Sequence, residues 1–132
     1  MSNKIYVASK ASNPLRPSMW RALRNLGYPI NSTWIDEAGP VETPNMGKLW
    51  ERITVEVHEA KGVVAYLHKE DMPFKGSLIE IGMALGQGKP VAVVLSGFPK
   101  SDVIQNIVGS WIYHPNITIH TRMTDAFVMI KK

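Results

Sequence analysis

Two apolar strands joined by one helix constrain the fold of this chain more than any other feature. Residues 62–68 (Gly-Val-Val-Ala-Tyr-Leu-His) and residues 90–95 (Pro-Val-Ala-Val-Val-Leu) have the short, continuously apolar pattern of buried strands. The segment between them carries apolar residues at helical spacing and ends at Gly86 and Gly88. Strand, helix and strand at this spacing predict a right-handed crossover between two parallel strands.

The remaining segments extend this unit to a complete α/β domain. Further strands are predicted at residues 4–9, 28–35 and 115–121, with helices between them and a closing helical segment from residue 124. Five strands alternating with helices predict a three-layer α/β/α sandwich, flavodoxin-like, with a parallel sheet of order 2-1-3-4-5. We expect the 132 residues to form one domain, residues 1–132.

Composition and missing motifs exclude several classes of function. The chain has no cysteine, which excludes disulfides and thiolate chemistry and fits a cytoplasmic protein. Its net charge is +4, but Lys and Arg are scattered, which favours a small anionic ligand over nucleic acid. No apolar run approaches the roughly 20 residues that span a bilayer, so we expect no membrane partner. The four histidines lack metal-site spacing, and serine-hydrolase, P-loop and dinucleotide motifs are missing, so we expect no metal and no cofactor.

Glu80 is the first candidate for chemistry, because it lies in the opening turn of the helix between the two strands. That turn follows the carboxyl end of a parallel strand, which is the sheet edge where α/β proteins bind ligands. Ser77-x-x-Glu80 also matches a capping box, in which both side chains only satisfy the helix start. Spacing alone leaves both interpretations open.

The loop after the first strand is a candidate anion site at the same edge. Ser9, Lys10 and Ser12 precede a helix and could hold a phosphate through the ammonium group and backbone amides. The alternative is an ordinary N-cap by Ser12 or Asn13.

Trp34 and Asp36 come at the end of the predicted second strand and would stand at this edge too. Trp34 could stack on a nucleobase, and Asp36 could bind a base or ribose edge. The alternatives are that Trp34 packs under the loop and that Asp36 caps a turn. One of Arg52, Thr54 or Glu56 could also reach the cleft from the helix before the central strand.

Three segments resemble the nucleoside 2-deoxyribosyltransferase family. The central one is the string Gly76-Ser77, Glu80-Ile81-Gly82, Ala84-Leu85 and Gly88-Lys89-Pro90-Val91. The opening Lys4-Ile-Tyr-Val-Ala-Ser9 is similar to the family's first strand, whose aromatic residue, here Tyr6, lies in the pocket. Ser110-Trp111, followed by Asn116, is similar to a segment that supplies a polar side chain to a neighbouring subunit's site.

The resemblance implies an enzyme that cleaves N-glycosidic bonds of deoxynucleosides or their 5′-monophosphates. Glu80 would be the nucleophile at the anomeric carbon, in the manner of a retaining glycosidase, and transfer or hydrolysis would complete the reaction. Tyr6, Gly76 and Ser77 would line the substrate site, and Asn116 would complete the site of a partner in a homodimer or larger oligomer. A module that binds a nucleotide without cleaving it is the alternative.

Two carboxylates of the family pattern are displaced in this sequence. The family commonly has an Asp two residues before the Gly of its Gly-Ser/Thr pair, and Phe74 stands there. Asp71 and Glu70 lie earlier in the same loop and could act in its place if the loop folds back; Asp71 is the predicted catalytic residue. A second family Asp falls at about Thr54, with Glu56 the nearest carboxylate.

Overall fold

The computed structural model describes residues 3–37, 45–99 and 104–131. Within these ranges the chain forms one parallel sheet of four strands, in the spatial order in which they occur along the sequence. The strands are β1 (Ile5–Ala8), β2 (Gly62–His68), β3 (Val91–Ser96) and β4 (Ile117–His120). The predicted α/β class and parallel sheet are confirmed.

The prediction of five strands in order 2-1-3-4-5 is wrong at the second strand. Of residues 28–35, only Ile30 pairs with the sheet, through a single bridge to Ile5, and Thr33–Asp36 forms a 3-10 helix. The backbone of Val7 is satisfied by side chains instead: its N–H donates to Ser32 Oγ (2.8 Å) and its carbonyl accepts from Trp34 Nε1 (2.9 Å). These side chains take the hydrogen-bonding positions on β1 that a fifth strand would use. The pairing with β1 therefore does not extend beyond the bridge at Ile30.

Five α-helices occur in the described ranges and cover both faces of the sheet. They are α1 (Leu15–Asn25), α2 (Met46–Glu59), α3 (Gly76–Gly86), α4 (Ile104–Val108) and α5 (Met123–Lys131). None of these helices combines the length and the apolar character needed to cross a membrane.

Strand alternation separates the two helical layers. Gly62, which pairs with Ile5, faces α5, because a Cβ at this position would lie 2.9 Å from Ile130 Cγ2. The next residue of β1, Tyr6, faces the other way and contacts Glu80 of α3. Trp20 of α1 packs edge-on against Phe127 of α5 (ring centroids 6.5 Å apart), which puts α1 and α5 in one layer. The arrangement leaves the start of α3 at the carboxyl edge of the sheet.

Candidate active site

A cavity of about 290 Å³ opens at the carboxyl ends of β1 and β2. Its walls come from the loop after β1, from α2, from the loop between β2 and α3, and from the first turns of α3. The predicted site residues that line it are Ser9, Lys10, Trp34, Asp71, Gly76, Ser77 and Glu80. Residues 70 positions apart in sequence therefore meet where the topology of a parallel sheet places ligands.

Glu80 is a buried acid in the wall of this cavity. Its side chain is buried, and its Oε1 accepts a hydrogen bond of 2.5 Å from the hydroxyl of Tyr6. Burial raises the pKa of Glu80 to about 8; the hydrogen bond from Tyr6 lowers it in part, and the charge of Glu56 raises it further. The carboxyl group is therefore mostly protonated at neutral pH in the unliganded protein.

Tyr6 of β1 holds the carboxyl group of Glu80 through its hydrogen bond. It is fully buried on β1, and burial followed by the nearby charge of Glu80 raises its pKa well above the usual value. The phenol therefore keeps its proton and donates it in the hydrogen bond to Glu80 Oε1. Tyr6 was predicted to lie in the pocket, but its ring is in the core and only its hydroxyl reaches the site.

The capping-box interpretation of Ser77 and Glu80 is wrong. Helix α3 begins at Gly76 with Lys75 at the N-cap, and no side chain in the described part of the chain caps it. Ser77 lies inside the helix, and its amide donates to the carbonyl of Phe74 (3.0 Å). Glu80 points to Tyr6, on a different strand, rather than back along its own helix.

Asp71 lines the same cavity, but its carboxyl group is ionised. Its Oδ2 accepts from Arg16 Nε (2.7 Å) and its Oδ1 from Asn13 Nδ2 (2.9 Å), and the carboxylate is buried. Burial alone would raise the pKa of Asp71, but the hydrogen bonds from Arg16 and Asn13 and the charge of Arg16 outweigh it and hold that pKa below its usual range. Asp71 is thus an ionised group with both oxygens engaged.

Arg16 is a site-supporting residue that sequence reasoning missed. It is buried on α1, its second branch donates to Glu70 (3.0 Å), and its guanidinium lies 5.0 Å from the centre of the Tyr66 ring. The pair Arg16–Asp71 spans 55 positions of sequence, so no local pattern signals it. It fastens the loop that leads into α3 to the start of α1.

Ser9 and Trp34 have most of their polar atoms engaged by the fold. Ser9 Oγ accepts from Trp20 Nε1 (2.7 Å), and Trp34 Nε1 donates to the carbonyl of Val7. Both residues are buried, so they present wall surface to the cavity rather than open polar groups. Lys10, by contrast, is half-buried and forms no hydrogen bond or ion pair with its side chain within the described ranges.

Asp36 and Asn116 lie outside the cavity. Asp36 is exposed, accepts two hydrogen bonds of 2.8 Å from Arg24 of α1, and is not among the described residues that line the cavity. Asn116 precedes β4, and its carbonyl accepts from the amide of Val91, at the amino edge of the sheet. Asn116 is therefore at the edge opposite to the cavity of its own subunit.

The three polar candidates on α2 do not line the cavity either. Arg52 pairs with Glu37, and Thr54 bonds to the backbone of its own helix. The carboxylate of Glu56 accepts from the amide (3.1 Å) and hydroxyl (2.6 Å) of Thr33 and acts on Glu80 only through its charge.

Two aromatic residues complete the apolar wall. Trp50 of α2, which sequence reasoning missed, packs against Gly76, where a Cβ would lie 3.2 Å from Trp50 Cζ2. Phe74, at the position of the displaced family Asp, is buried and packs edge-on against Phe98 (ring centroids 6.3 Å apart). A side chain at position 76 would require the indole to move away by a few tenths of an ångström.

Among the residues that the structure describes, four charged ones line the cavity: Lys10, Asp71, Lys75 and Glu80. Asp71 is offset by Arg16 and Glu80 is mostly neutral, so the two lysines carry the uncompensated charge of this described lining. In residues 3–37, 45–99 and 104–131, no three His, Cys, Asp or Glu side chains are grouped as metal ligands would be.

Comparison with known proteins finds the same fold in proteins that act on glycosidic bonds. A 2-deoxyribosyltransferase from Leishmania mexicana matches with a TM-score of 0.65 and 15% identity, over 98% of this chain and 97% of that chain. A CMP N-glycosidase from Clostridium botulinum matches with a TM-score of 0.52 and 15% identity, over 98% and 99%. No family model and no curated protein sequence matches the chain. The resemblance to the nucleoside 2-deoxyribosyltransferase family is thus confirmed at the level of the fold.

Proposed function

We propose that the protein cleaves the N-glycosidic bond of deoxynucleosides or their 5′-monophosphates, with Glu80 as the nucleophile. The observation that carries this proposal is the buried carboxyl group at the ligand-binding edge of the sheet. Tyr6 holds its Oε1, while Oε2 forms no hydrogen bond with the described residues and is left for a ligand. Nucleophilic carboxylates of retaining glycosidases need this combination of a fixed orientation and an open oxygen.

The proposed reaction is a double displacement at C1′. Ionised Glu80 forms a bond to C1′ as the bond from C1′ to the base nitrogen breaks. The electron pair of the broken C1′–N bond leaves with the base, which takes a proton from solvent. Water or a second base then attacks C1′ and releases the carboxylate. A 2-deoxy sugar suits this site because it lacks the electron-withdrawing hydroxyl that destabilises the oxocarbenium-like transition state.

The raised pKa of Glu80 has a direct consequence for this reaction. The attacking carboxylate stands on the face of the sugar opposite to the leaving base, so it cannot also protonate that base. Only the ionised form is therefore productive, and base release should increase as the pH rises toward about 8.

Asp71 is assigned a positioning role rather than that of a general acid. A carboxylate that Arg16 and Asn13 hold ionised has no proton to give to a leaving base at neutral pH. It instead fixes the loop that carries Phe74 and Lys75 into the cavity wall.

A 5′-phosphate is the favoured feature of the substrate. Lys10 and Lys75 line the cavity while its two carboxyl groups are neutral or paired, so the local charge is positive. An anionic ligand is attracted to such a site, most strongly at low ionic strength.

A panel assay tests the proposal. The protein is incubated with purine and pyrimidine deoxynucleosides and their monophosphates, with and without an acceptor base, and free base is separated by chromatography. Release that disappears in Glu80→Gln supports the proposal. Saturable binding without release would favour the nucleotide-binding module, an alternative consistent with a neutral Glu80 and an ion-paired Asp71.

We also propose that the protein works as a homodimer or larger oligomer in which Asn116 completes a neighbour's site. Tyr113 is 66% exposed beside the half-buried Trp111, in the 3-10 helix Ser110–Tyr113 that leads to β4. Exposed aromatic surface of this kind commonly marks an interface. Light scattering gives the mass, and mixing inactive Glu80→Ala with inactive Asn116→Ala subunits should restore activity. A monomeric mass, or no rescue despite subunit exchange, would contradict the shared site.

A further inference from the structure

Ser77 carries the least explained polar group of the cavity wall. The residue is 3% exposed, and its hydroxyl is shielded from water with no hydrogen-bond partner among the described residues. Most buried hydroxyls in folded proteins have a partner, so an open one beside a cavity points to a ligand. Ser9, on the facing wall, shows the usual arrangement, because its Oγ is bonded to Trp20.

The backbone around Ser77 narrows the kind of ligand. The amides of Ser77 and Leu78 already donate to the carbonyls of Phe74 (3.0 Å) and Lys75 (3.1 Å). These two amides are therefore not open to an anion, and the Ser77 hydroxyl is the side-chain polar group of this turn that has no partner among the described residues. A hydroxyl both donates and accepts one hydrogen bond readily, which matches a neutral hydroxyl of a ligand.

The position of Ser77 relative to Glu80 says which part of the ligand it meets. Residues three apart on a helix share a face, with Cβ atoms about 5–6 Å apart. Glu80 attacks C1′ in the proposed reaction, so the group one turn away faces the same sugar ring. Ser77 lines the cavity, and the inference requires that its Oγ turn toward the ligand by rotation about the Cα–Cβ bond between staggered rotamers.

We infer that the Ser77 hydroxyl reads the sugar: it hydrogen-bonds to a hydroxyl of the bound nucleoside and thereby sets which sugars are accepted. This inference rests on the proposed function, since it needs a nucleoside whose C1′ lies at Glu80. The sugar hydroxyl supplies the partner that Ser77 lacks in the unliganded fold.

The inference is tested by a thermodynamic cycle in which the Ser77 hydroxyl and a sugar hydroxyl are removed singly and together. The ligands are 2′-deoxyadenosine, 2′,3′-dideoxyadenosine and 2′,5′-dideoxyadenosine, with the cytidine series in parallel. Base release is measured with Ser77 and Ser77→Ala, and binding is measured in the Glu80→Gln background of both. Loss of one sugar hydroxyl should weaken binding and kcat/KM about tenfold with Ser77 and about twofold or less with Ser77→Ala. Equal losses in the two proteins for every hydroxyl would overturn the inference.

Thermal stability of the unliganded protein gives a second readout, with Ser9→Ala as the matched control. Ser77→Ala removes a hydroxyl without a partner and should raise Tm, whereas Ser9→Ala strands the Trp20 N–H and should lower it. A nucleoside should then raise the Tm of Ser77→Ala by less than that of the parent. A fall in Tm like that of Ser9→Ala would show that the fold itself uses the hydroxyl and would overturn the inference. If no deoxynucleoside and no 5′-monophosphate of the panel binds or reacts, the proposed function fails and the inference fails with it; binding without coupling overturns the inference alone.

Discussion

Two buried carboxyl groups line one cavity, and they differ in the charge of the groups that hydrogen-bond to them. Asp71 has a guanidinium and an amide on its two oxygens, and its pKa lies below the usual range. Glu80 has a single neutral donor, Tyr6, and its pKa is raised to about 8. Burial acts in the same direction on both, so the partners decide the outcome.

The difference indicates that Asp71 stabilises the fold, whereas the fold positions Glu80 for chemistry. Asp71 is stabilised in its charged form and connects two distant segments. Ionisation of Glu80 in the folded protein costs free energy of folding, which is typical of a catalytic group rather than of a structural one. Substitutions at Glu80, Asp71, Tyr6 and Lys10 test this contrast.

Glu80→Gln should have the largest effect. Base release should fall by roughly a thousandfold or more because the nucleophile is lost. The free energy of unfolding, in contrast, should increase at alkaline pH. The folded pKa of Glu80 is above its unfolded value of 4.5, so its favourable contribution is complete below pH 4.5 and is lost as the pH rises to about 8. Gln does not ionise, so at pH 8 to 9 the variant should be more stable, by about 5 kcal/mol at the upper limit.

Chemical denaturation of both proteins at pH 4.5 and pH 8.5 measures this difference. The two should be nearly equal at the lower pH and diverge at the higher one. A variant that is less stable than the parent at both values would make Glu80 a structural residue.

Asp71→Asn should mainly cost stability. It leaves the buried Arg16 with only the exposed Glu70 as an anionic partner, and breaking a buried pair of this kind costs about 3–5 kcal/mol. Replacing both partners, as Arg16→Met with Asp71→Leu, should cost less than Asp71→Asn alone. Activity per folded molecule should stay within about tenfold of the parent. A fully stable Asp71→Asn without base release would instead make Asp71 a catalytic acid.

Tyr6→Phe should shift the pH dependence. The hydrogen bond from Tyr6 lowers the pKa of Glu80, so its loss raises that pKa further and reduces the ionised fraction at pH 7. A shift of one unit would slow base release at pH 7 about tenfold and leave the alkaline rate nearly unchanged. The pH–rate profile checks this, with Tyr66→Phe, outside the cavity lining, as the control. The same loss at every pH would mean that Tyr6 does not act through the ionisation of Glu80.

Lys10→Ala should have the smallest effect, and only on phosphorylated ligands. Binding of a deoxynucleoside monophosphate should weaken about threefold to tenfold at low salt, because one partly exposed cation is lost. Binding of the nucleoside should not change. Lys69→Ala, an exposed lysine outside the cavity, is the control, and equal weakening of both ligands would remove the phosphate from this loop.

The fold was predictable where hydrogen bonding is local or strand-to-strand. Strands β2 and β3 are continuous apolar runs whose neighbours lie in the same sheet, and they form where the sequence indicates them. The predicted strand at residues 28–35 failed because Ser32 and Trp34 bond to β1 through their side chains. Side-chain bonds across the fold leave no mark in strand propensity.

The site was predictable to the extent that it follows from topology. Ser77 and Glu80 line the cavity because the start of a crossover helix always lies at the carboxyl edge. Asp36 was misplaced because its position assumed a full second strand, whereas the 3-10 helix carries it to Arg24. The electrostatic contrast between Asp71 and Glu80 depends on Arg16 and Tyr6, which are distant in sequence.

Trapping the covalent intermediate shows whether Glu80 is the nucleophile. The protein is mixed with the best deoxynucleoside or monophosphate of the panel, quenched in acid during turnover, digested and analysed by mass spectrometry. The account predicts an adduct of one deoxyribosyl group (phosphorylated if the monophosphate is used) on the peptide that carries Glu80, absent from Glu80→Gln. Base release at an undiminished rate by Glu80→Gln, or an adduct on another residue, would contradict it.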